Sequence, residues 1–146
     1  MASPEAFTTH SEQDTFALGK TIAATLRPGT FVLLHGDLGA GKTAFVRGVA
    51  AGLGANADDV SSPTFVLIQH YKGRTPLVHV DLYRLDTGAA IDDLGLEELV
   101  VGAVVAIEWA ERLPRPLEES VTVRIADLGN DSRHITIEKG SGSLFR

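Results

Sequence analysis

A chain of 146 residues has the length of one domain, since domains typically contain roughly 100 to 200 residues. Its 13 Lys and Arg against 19 Asp and Glu give a net charge of −6, which argues against a protein whose main task is to hold nucleic acid. The absence of cysteine excludes disulfides, zinc–thiolate sites and thiol nucleophiles together.

The same composition is typical of a folded protein that does not enter a membrane. Hydrophobic residues make up 44% and charged residues 22% of the chain, as in ordinary globular domains. The longest apolar run, 99–107, is far shorter than the roughly 20 residues of a membrane helix, and no signal peptide is visible. We therefore predict one cytoplasmic domain over 1–146, with a core of about 7–138, a flexible tail over 139–146 and no membrane partner.

The first part of the chain predicts two helices around a short strand. Ser11 and Asp14 have nearly the spacing of a capping box and begin a helical pattern that ends at Pro28-Gly29. The apolar run 30–34 predicts a strand that leads into a glycine-rich segment. Apolar residues on one face of 42–53 predict a second helix.

The rest of the chain predicts further strands, an interrupted helix and a hairpin. The predicted strands are 65–71, 77–80 and 103–107, and the helical pattern is 89–100 with an interruption at Gly95. Period-two alternation over 121–125 and 134–138 flanks the turn residues 129–131. This pattern predicts an antiparallel C-terminal hairpin.

Residues 36–43 carry the strongest motif in the sequence. They read GDLGAGKT and match the phosphate-loop pattern G-x-x-x-x-G-K-[ST] in full, between a predicted strand and a predicted helix. Glycines let backbone N–H groups turn toward phosphate oxygens, and the start of the helix favours the same anion. Lys42 would neutralise the β and γ phosphates, and the Thr43 hydroxyl would bind Mg²⁺.

This motif sets the predicted fold class. A phosphate loop between a strand and a helix is typical of P-loop NTPase-like α/β domains. We therefore predict a mostly parallel sheet with helices on both faces, extended by the antiparallel hairpin at the C-terminus.

Two acidic residues directly follow apolar strands. Asp81 follows the run 77–80, and Glu108 follows the run 103–107. Because the carboxyl ends of strands line the ligand crevice of an open α/β sheet, both side chains are expected to converge on the nucleotide. The spacing leaves open which carboxylate binds the metal and which one positions the attacking water.

Other sequence features leave three functions open. Ser62-Pro63-Thr64 lies where a nucleotide-sensing loop would be found, Trp109 directly follows Glu108, and the five histidines are interpreted as structural or exposed. No N-K-x-D motif for guanine is present, so a GTPase is disfavoured and the D-x-x-G match at 92–95 is interpreted as coincidental. An ATPase, a small-molecule kinase and a non-catalytic nucleotide-binding module stay open, although the arginine-rich lid typical of such kinases is missing.

Four segments together resemble the TsaE (YjeE) family, the small bacterial ATPases of the threonylcarbamoyladenosine pathway. They are GDLGAGKT at 36–43, SPTF at 62–65, HVDLYRL at 79–85 and IEW at 107–109, and the resemblance extends over roughly 7–138. It implies an ATPase that uses ATP and Mg²⁺, binds the TsaB–TsaD heterodimer and involves tRNA only indirectly. TsaD would transfer the threonylcarbamoyl group to the adenosine next to the anticodon of tRNAs that read codons beginning with A.

The resemblance also implies the role of individual residues. Lys42, Asp81 and Glu108 would be catalytic, with Thr43 and Glu108 as magnesium ligands and Asp81 as a second acid close to the metal and the γ-phosphate. The nucleotide would be held by Glu12 near the base and by Gly36, Gly39, Ala40, Gly41, Lys42, Thr43 and Ala44 at the phosphates.

Three further features are implied less directly. Ser62-Pro63-Thr64 resembles the switch-like loop of the family, and Arg133 lies near a nucleotide-contacting position. No arginine finger is identifiable in the sequence, and Arg84 or a partner protein would have to supply one. We therefore expect very slow ATP hydrolysis by the chain alone and faster turnover with its partners.

Overall fold

The computed structural model describes residues 4–36, 41–60 and 67–139. The strands in these ranges are β1 (Glu5–Thr9), β2 (Thr30–Gly36), β3 (Ile68–Tyr71), β4 (Leu77–Asp81), β5 (Val104–Glu108), β6 (Ser120–Gly129) and β7 (Ser132–Lys139). The α-helices are α1 (Glu12–Ala23), α2 (Lys42–Gly52), α3 (Gly88–Asp92) and α4 (Leu96–Leu99). Short 3₁₀ turns occupy Ala57–Asp59 and Ala110–Arg112.

The described strands form one seven-stranded sheet in the order β1-β7-β6-β2-β5-β4-β3. The four central strands, β6, β2, β5 and β4, are parallel, and antiparallel strands complete both edges. The central strands β2, β4 and β5 are buried along most or all of their length, as expected for parallel strands covered on both faces. The predicted fold class, a mostly parallel sheet with an antiparallel C-terminal hairpin, is confirmed.

Helices cover both faces of the sheet, as predicted. On one face, α1 and α2 pack together over a core that includes Leu34, Phe45 and Val49. On the other face, α3 and α4 cover a second core that includes Val80 and Ile107. Within the described ranges, none of these helices is long and apolar enough to cross a bilayer.

The N-terminal region differs from the prediction in two respects. The first helix ends at Ala23 rather than at Pro28-Gly29, because a turn already follows at residues 24–25. Its predicted start is correct, since the Ser11 hydroxyl accepts the backbone N–H of Asp14 at 3.0 Å. Strand β1 was not predicted, because its five residues become a strand only by pairing with β7 at the edge of the sheet.

The remaining predicted elements are present with shifted boundaries. Gly95 has a left-handed φ of 70° and divides the predicted helix 89–100 into α3 and α4. The hairpin is longer than predicted, and both of its turn residues, Asn130 and Asp131, have positive φ. Of the predicted tail, Lys139 belongs to β7 and residues 140–146 lie outside the described residues. Of the predicted strand 65–71, only Ile68–Tyr71 is described as a strand.

Candidate functional site

The candidate site lies where β2, β4 and β5 end at the same edge of the sheet. Gly36 ends β2, Asp81 ends β4 and Glu108 ends β5. Parallel pairing places Asp81 directly beside Glu108, and Glu108 beside Leu34 of β2. Ligands of open α/β sheets bind outside the carboxyl ends of the strands, so the two predicted carboxylates meet at the edge where a ligand is expected.

Strand periodicity decides which face of the sheet these side chains occupy. Leu77 and Ala106 belong to the core beneath α1 and α2. Side chains at even spacing along a strand point the same way, so His79, Asp81 and Glu108 lie on that face as well. The two acids therefore share one face of the sheet with α2, the helix that follows the phosphate loop.

Lys42 connects the two described ends of the phosphate loop. Its ammonium donates to the Gly36 carbonyl at 2.9 Å, and the residue is only 5% exposed. The same Nζ lies 4.7 Å from the centre of the Trp109 ring, which is a cation–π distance. An ammonium has three N–H donors, and the described contacts of Lys42 use one of them on a carbonyl and place the group near one aromatic ring. Ammonium protons are therefore available for an anion.

The N-terminus of α2 has the features of an anion-binding position. Gly41 is its N-cap, with a left-handed φ of 101° that side chains rarely adopt. No side chain caps this terminus in the described part of the chain, and the first turn, with Thr43 and Ala44, contains no acidic residue. The free N–H groups and the helix dipole favour phosphate there. Gly39 and Ala40 lie outside the described residues, as does the Ser62-Pro63-Thr64 segment.

Asp81 and Glu108 are both largely buried, with exposures of 8% and 4%. Asp81 Oδ1 accepts the backbone N–H of Tyr83 at 2.8 Å. Burial raises the pKa of the Asp81 carboxyl and the charge of Glu108 adds to the rise, while the Tyr83 hydrogen bond opposes it. Two adjacent buried carboxylates repel each other, and a cation between them would relieve that repulsion.

The described oxygen ligands at this edge suit Mg²⁺ that is bound together with a nucleotide, and they are too few for a metal bound by protein side chains alone. Within the described residues, no group of three or more His, Cys, Asp or Glu side chains is positioned to hold a metal. Mg²⁺ is usually bound by one or two carboxylates together with substrate phosphates and water. The adjacent carboxylates of Asp81 and Glu108 offer the hard oxygen ligands that such a site needs, and Thr43 adds a hydroxyl in the first turn of α2.

His79 touches this site, a contact that the sequence does not predict. Its Nε2 lies 2.6 Å from Glu108 Oε2, and the residue is fully buried. The sequence pattern placed it among structural or exposed histidines. Its position two residues before Asp81 was the available signal, since both side chains must point to the same face of β4.

Aromatic and cationic side chains form one wall of the site. Trp109 has a left-handed φ of 61°, and its ring centre lies 4.9 Å from that of Tyr83. The Arg112 guanidinium lies 5.6 Å from the Trp109 ring and 5.7 Å from the Tyr83 ring. A Trp in this conformation is uncommon, and here it brings the ring against Lys42.

Glu12, Arg133 and Arg84 are the remaining candidate residues named from the sequence. Glu12, at the start of α1, borders a cleft of about 210 Å³ together with Ala44 of α2. The Arg133 side chain packs beside Gly41, where an added Cβ would be 3.4 Å from its Nε. Its guanidinium also contacts Asp127 at 3.1 Å. Arg84 is exposed, three residues after Asp81.

The chain is similar to TsaE proteins along most of its length. A family model described as "Threonylcarbamoyl adenosine biosynthesis protein TsaE" matches residues 9–135. The tRNA threonylcarbamoyladenosine biosynthesis protein TsaE of Treponema pallidum is 43% identical over 129 residues, 87% of this chain and 95% of the relative. The protein of the same name from Bacillus subtilis is 42% identical over 131 residues, 88% of this chain and 81% of the relative.

A solved structure agrees with the sequence matches. The crystal structure of YdiB from Bacillus subtilis is 36% identical to this chain and superposes with a TM-score of 0.71. The match covers 94% of this chain and 86% of YdiB.

Proposed function

Because this chain belongs to the TsaE family of threonylcarbamoyl adenosine biosynthesis proteins, we propose that it is the Mg²⁺-dependent ATPase of that pathway. Family membership carries the role in tRNA threonylcarbamoyladenosine biosynthesis. The observation that supports ATP hydrolysis is the meeting of buried Lys42 with the edge where Asp81 and Glu108 stand side by side. That arrangement provides a phosphate-binding cation next to two carboxylates, the set that phosphoryl transfer to water requires.

In the proposed reaction, a water molecule attacks the γ-phosphate of ATP in line with the bond to the leaving ADP. Backbone N–H groups at the start of α2 and the Lys42 ammonium bind the phosphates and stabilise the charge that develops. Thr43 and Glu108 would hold Mg²⁺, which when bound neutralises charge on the β and γ phosphates. Asp81 lies beside Glu108 and would orient the metal or the water.

Glu12 would contact the nucleotide near its base. The cleft that it borders begins at Ala44, in the first turn of α2, where the phosphates are expected. A nucleotide whose phosphates lie on the loop would extend its base toward the start of α1. The proposed cofactors are therefore ATP and Mg²⁺.

We propose the TsaB–TsaD heterodimer as the protein partner. The support is the family resemblance together with the net charge of −6, which favours docking on a protein over direct binding of tRNA. In this proposal the chain does not transfer the threonylcarbamoyl group itself. It supports the transfer by TsaD to the adenosine next to the anticodon of tRNAs reading codons that begin with A.

The proposal is tested by incubating the chain with ATP and Mg²⁺, with and without TsaB–TsaD, and measuring free phosphate. We expect Lys42→Ala to lower kcat/KM for ATP by about 10²- to 10³-fold, because it removes a preorganised charge at the transferred phosphoryl group. Lys72→Ala, at an exposed position directly after β3 and remote in sequence from the loop, is the matched control and should leave the rate unchanged.

Two outcomes would favour the other functions that the sequence leaves open. A phosphorylated small-molecule acceptor in place of free phosphate would indicate a kinase. Binding of ATP without hydrolysis under every partner condition would indicate a non-catalytic module. Full hydrolysis by Lys42→Ala would remove the phosphate-loop assignment.

A further inference from the structure

His79 is a polar residue of β4 that is fully buried, and packing alone does not explain this burial. Its neighbours Val78 and Val80 are apolar and fill the core on the opposite face of the sheet. His79 itself is fully buried on the face of α2, two residues before Asp81. An imidazole in this place costs free energy unless its polar atoms are paired.

The two nitrogens of this imidazole differ in their hydrogen bonding. Nε2 meets Glu108 Oε2 at 2.6 Å, whereas Nδ1 has no hydrogen-bond partner in the described part of the chain. A carboxylate oxygen only accepts hydrogen bonds, so the shared proton is carried on Nε2. Among the described residues, the imidazole of His79 therefore has one hydrogen-bond partner, a single oxygen of Glu108.

This bond restricts what Glu108 can offer to a ligand. With Oε2 held by His79, the carboxylate cannot rotate freely, and Oε1 is the oxygen left for another partner. A residue that hydrogen-bonds to a metal-ligating side chain without touching the metal fixes the orientation of that side chain. Its loss typically weakens metal binding or activity. Asp81 is aligned differently, through its hydrogen bond from the Tyr83 backbone.

We propose that His79 is a positioning residue that holds Glu108 so that one carboxylate oxygen faces the bound nucleotide and its cation. This inference rests on the proposed function in one respect, that Glu108 acts on Mg²⁺-bound ATP. It adds a residue that would not touch ATP and acts only through Glu108. An apolar side chain of similar volume would fill the same space but leave the carboxylate unrestrained.

The test uses variants that separate the hydrogen bond from the packing. His79→Leu removes the N–H donor and keeps most of the volume, whereas His79→Gln keeps an N–H donor that extends to a comparable length. Val78→Ala is the matched control, since it disturbs the adjacent residue of β4 on the opposite face and leaves Glu108 untouched. His79→Asn replaces His79→Leu if the leucine variant does not fold, because its shorter amide does not extend as far as Glu108.

Mg²⁺ is titrated into each variant with a non-hydrolysable ATP analogue, and nucleotide affinity is followed by calorimetry. We expect His79→Leu to raise the Mg²⁺ concentration at half-saturation by about 10- to 100-fold. Nucleotide affinity without Mg²⁺ should stay close to wild type, and His79→Gln should restore most of the Mg²⁺ response. In the hydrolysis assay, kcat should fall more than KM for ATP rises.

A second measurement needs neither metal nor nucleotide. In the metal-free chain, NMR of labelled histidine should show a His79 Nε2–H resonance shifted downfield, which Glu108→Ala removes. The inference would be overturned if His79→Leu left the Mg²⁺ concentration at half-saturation unchanged, or if Val78→Ala raised it equally. His79 would then be a residue that only packs in the core.

The two proposals fail in distinguishable ways. If the wild-type chain binds Mg²⁺ with ATP and hydrolyses none, the proposed function fails while the Mg²⁺ titration still decides the role of His79. If hydrolysis is confirmed and the His79 variants match wild type in both titrations, only the positioning role is wrong.

Discussion

Asp81 is destabilised in its charged form by its surroundings. Its carboxyl is 8% exposed and stands next to Glu108, and burial followed by this like charge raises its pKa above the ordinary 3.8. Between 3.8 and the raised value the folded chain binds more protons than the unfolded chain. The free energy of unfolding therefore falls as pH rises through this window and stays lower above it.

We expect Asp81→Asn to be more stable than wild type at pH 7 in the absence of Mg²⁺. The amide does not ionise, and its oxygen can still accept the Tyr83 N–H. A gain of about 1 kcal/mol would raise the melting temperature by roughly 2–4 °C in a domain of this size. Thermal unfolding by circular dichroism at pH 7 and near pH 3.5 measures the difference, which should disappear at the lower pH.

Asp86→Asn is the control for this prediction, because Asp86 is exposed and should change stability little at either pH. ATP hydrolysis by Asp81→Asn should fall although its stability rises. A variant less stable than wild type at pH 7 would show that the Asp81 charge is compensated in the folded chain.

At the level of elements, the packing of α1 against α2 depends on glycines in the helix interiors. An added Cβ at Gly48 would lie 2.0 Å from the Phe16 carbonyl oxygen, and one at Gly19 would lie 2.3 Å from the Phe45 carbonyl oxygen. Glycine in a helix normally costs up to about 1 kcal/mol relative to alanine. Here it lets the backbones of α1 and α2 approach each other closely.

Gly48→Ala should therefore destabilise the chain by about 3 kcal/mol or more, at or beyond the upper end of the usual overpacking range, although alanine favours helices. The methyl group meets backbone atoms, which cannot move without separating the helices. Chemical denaturation followed by circular dichroism measures the loss. Gly102→Ala is the control, because its Cβ would meet nothing within 4 Å and the left-handed φ of 71° alone costs about 1–2 kcal/mol. Equal losses in the two variants would contradict the close-packing explanation.

On the scale of the whole molecule, charge indicates the kind of partner. A net charge of −6 disfavours binding of the tRNA phosphate backbone, while the family acts in tRNA modification. We interpret the chain as a subunit that docks on partner proteins. The docking site would be a basic surface that the chain and tRNA occupy alternately.

We predict that TsaB–TsaD increases phosphate release by the chain, by up to about 10³-fold if a partner supplies an arginine to the γ-phosphate. The isolated chain should bind tRNA weakly at about 0.15 M salt. A protein with net negative charge neutralises few tRNA phosphates and so releases few of the counterions bound to them. Co-purification with and without ATP, followed by competition with tRNA, measures both effects. Equal hydrolysis rates with and without the partners, or tight tRNA binding by the chain alone, would contradict the assembly proposal.

Most of the local elements, the family and the candidate residues follow from the sequence without the structure. The pattern of residues 36–43, the apolar runs before Asp81 and Glu108, and the alternation of the hairpin depend on interactions among near neighbours in the chain. Periodicity and turn chemistry express such interactions directly. The fold class and the family are confirmed, whereas the roles of the site residues stay predictions.

The three-dimensional fold is needed to show which strands are neighbours and which side chains meet. It placed β2 between β5 and β6, added β1 through its pairing with β7, and put Asp81 beside Glu108. It also brought His79 to Glu108 across 29 residues of sequence. Local pattern specifies the face on which a side chain lies. Contact across strands depends on strand order, which is set by burial of the whole sheet under its helices.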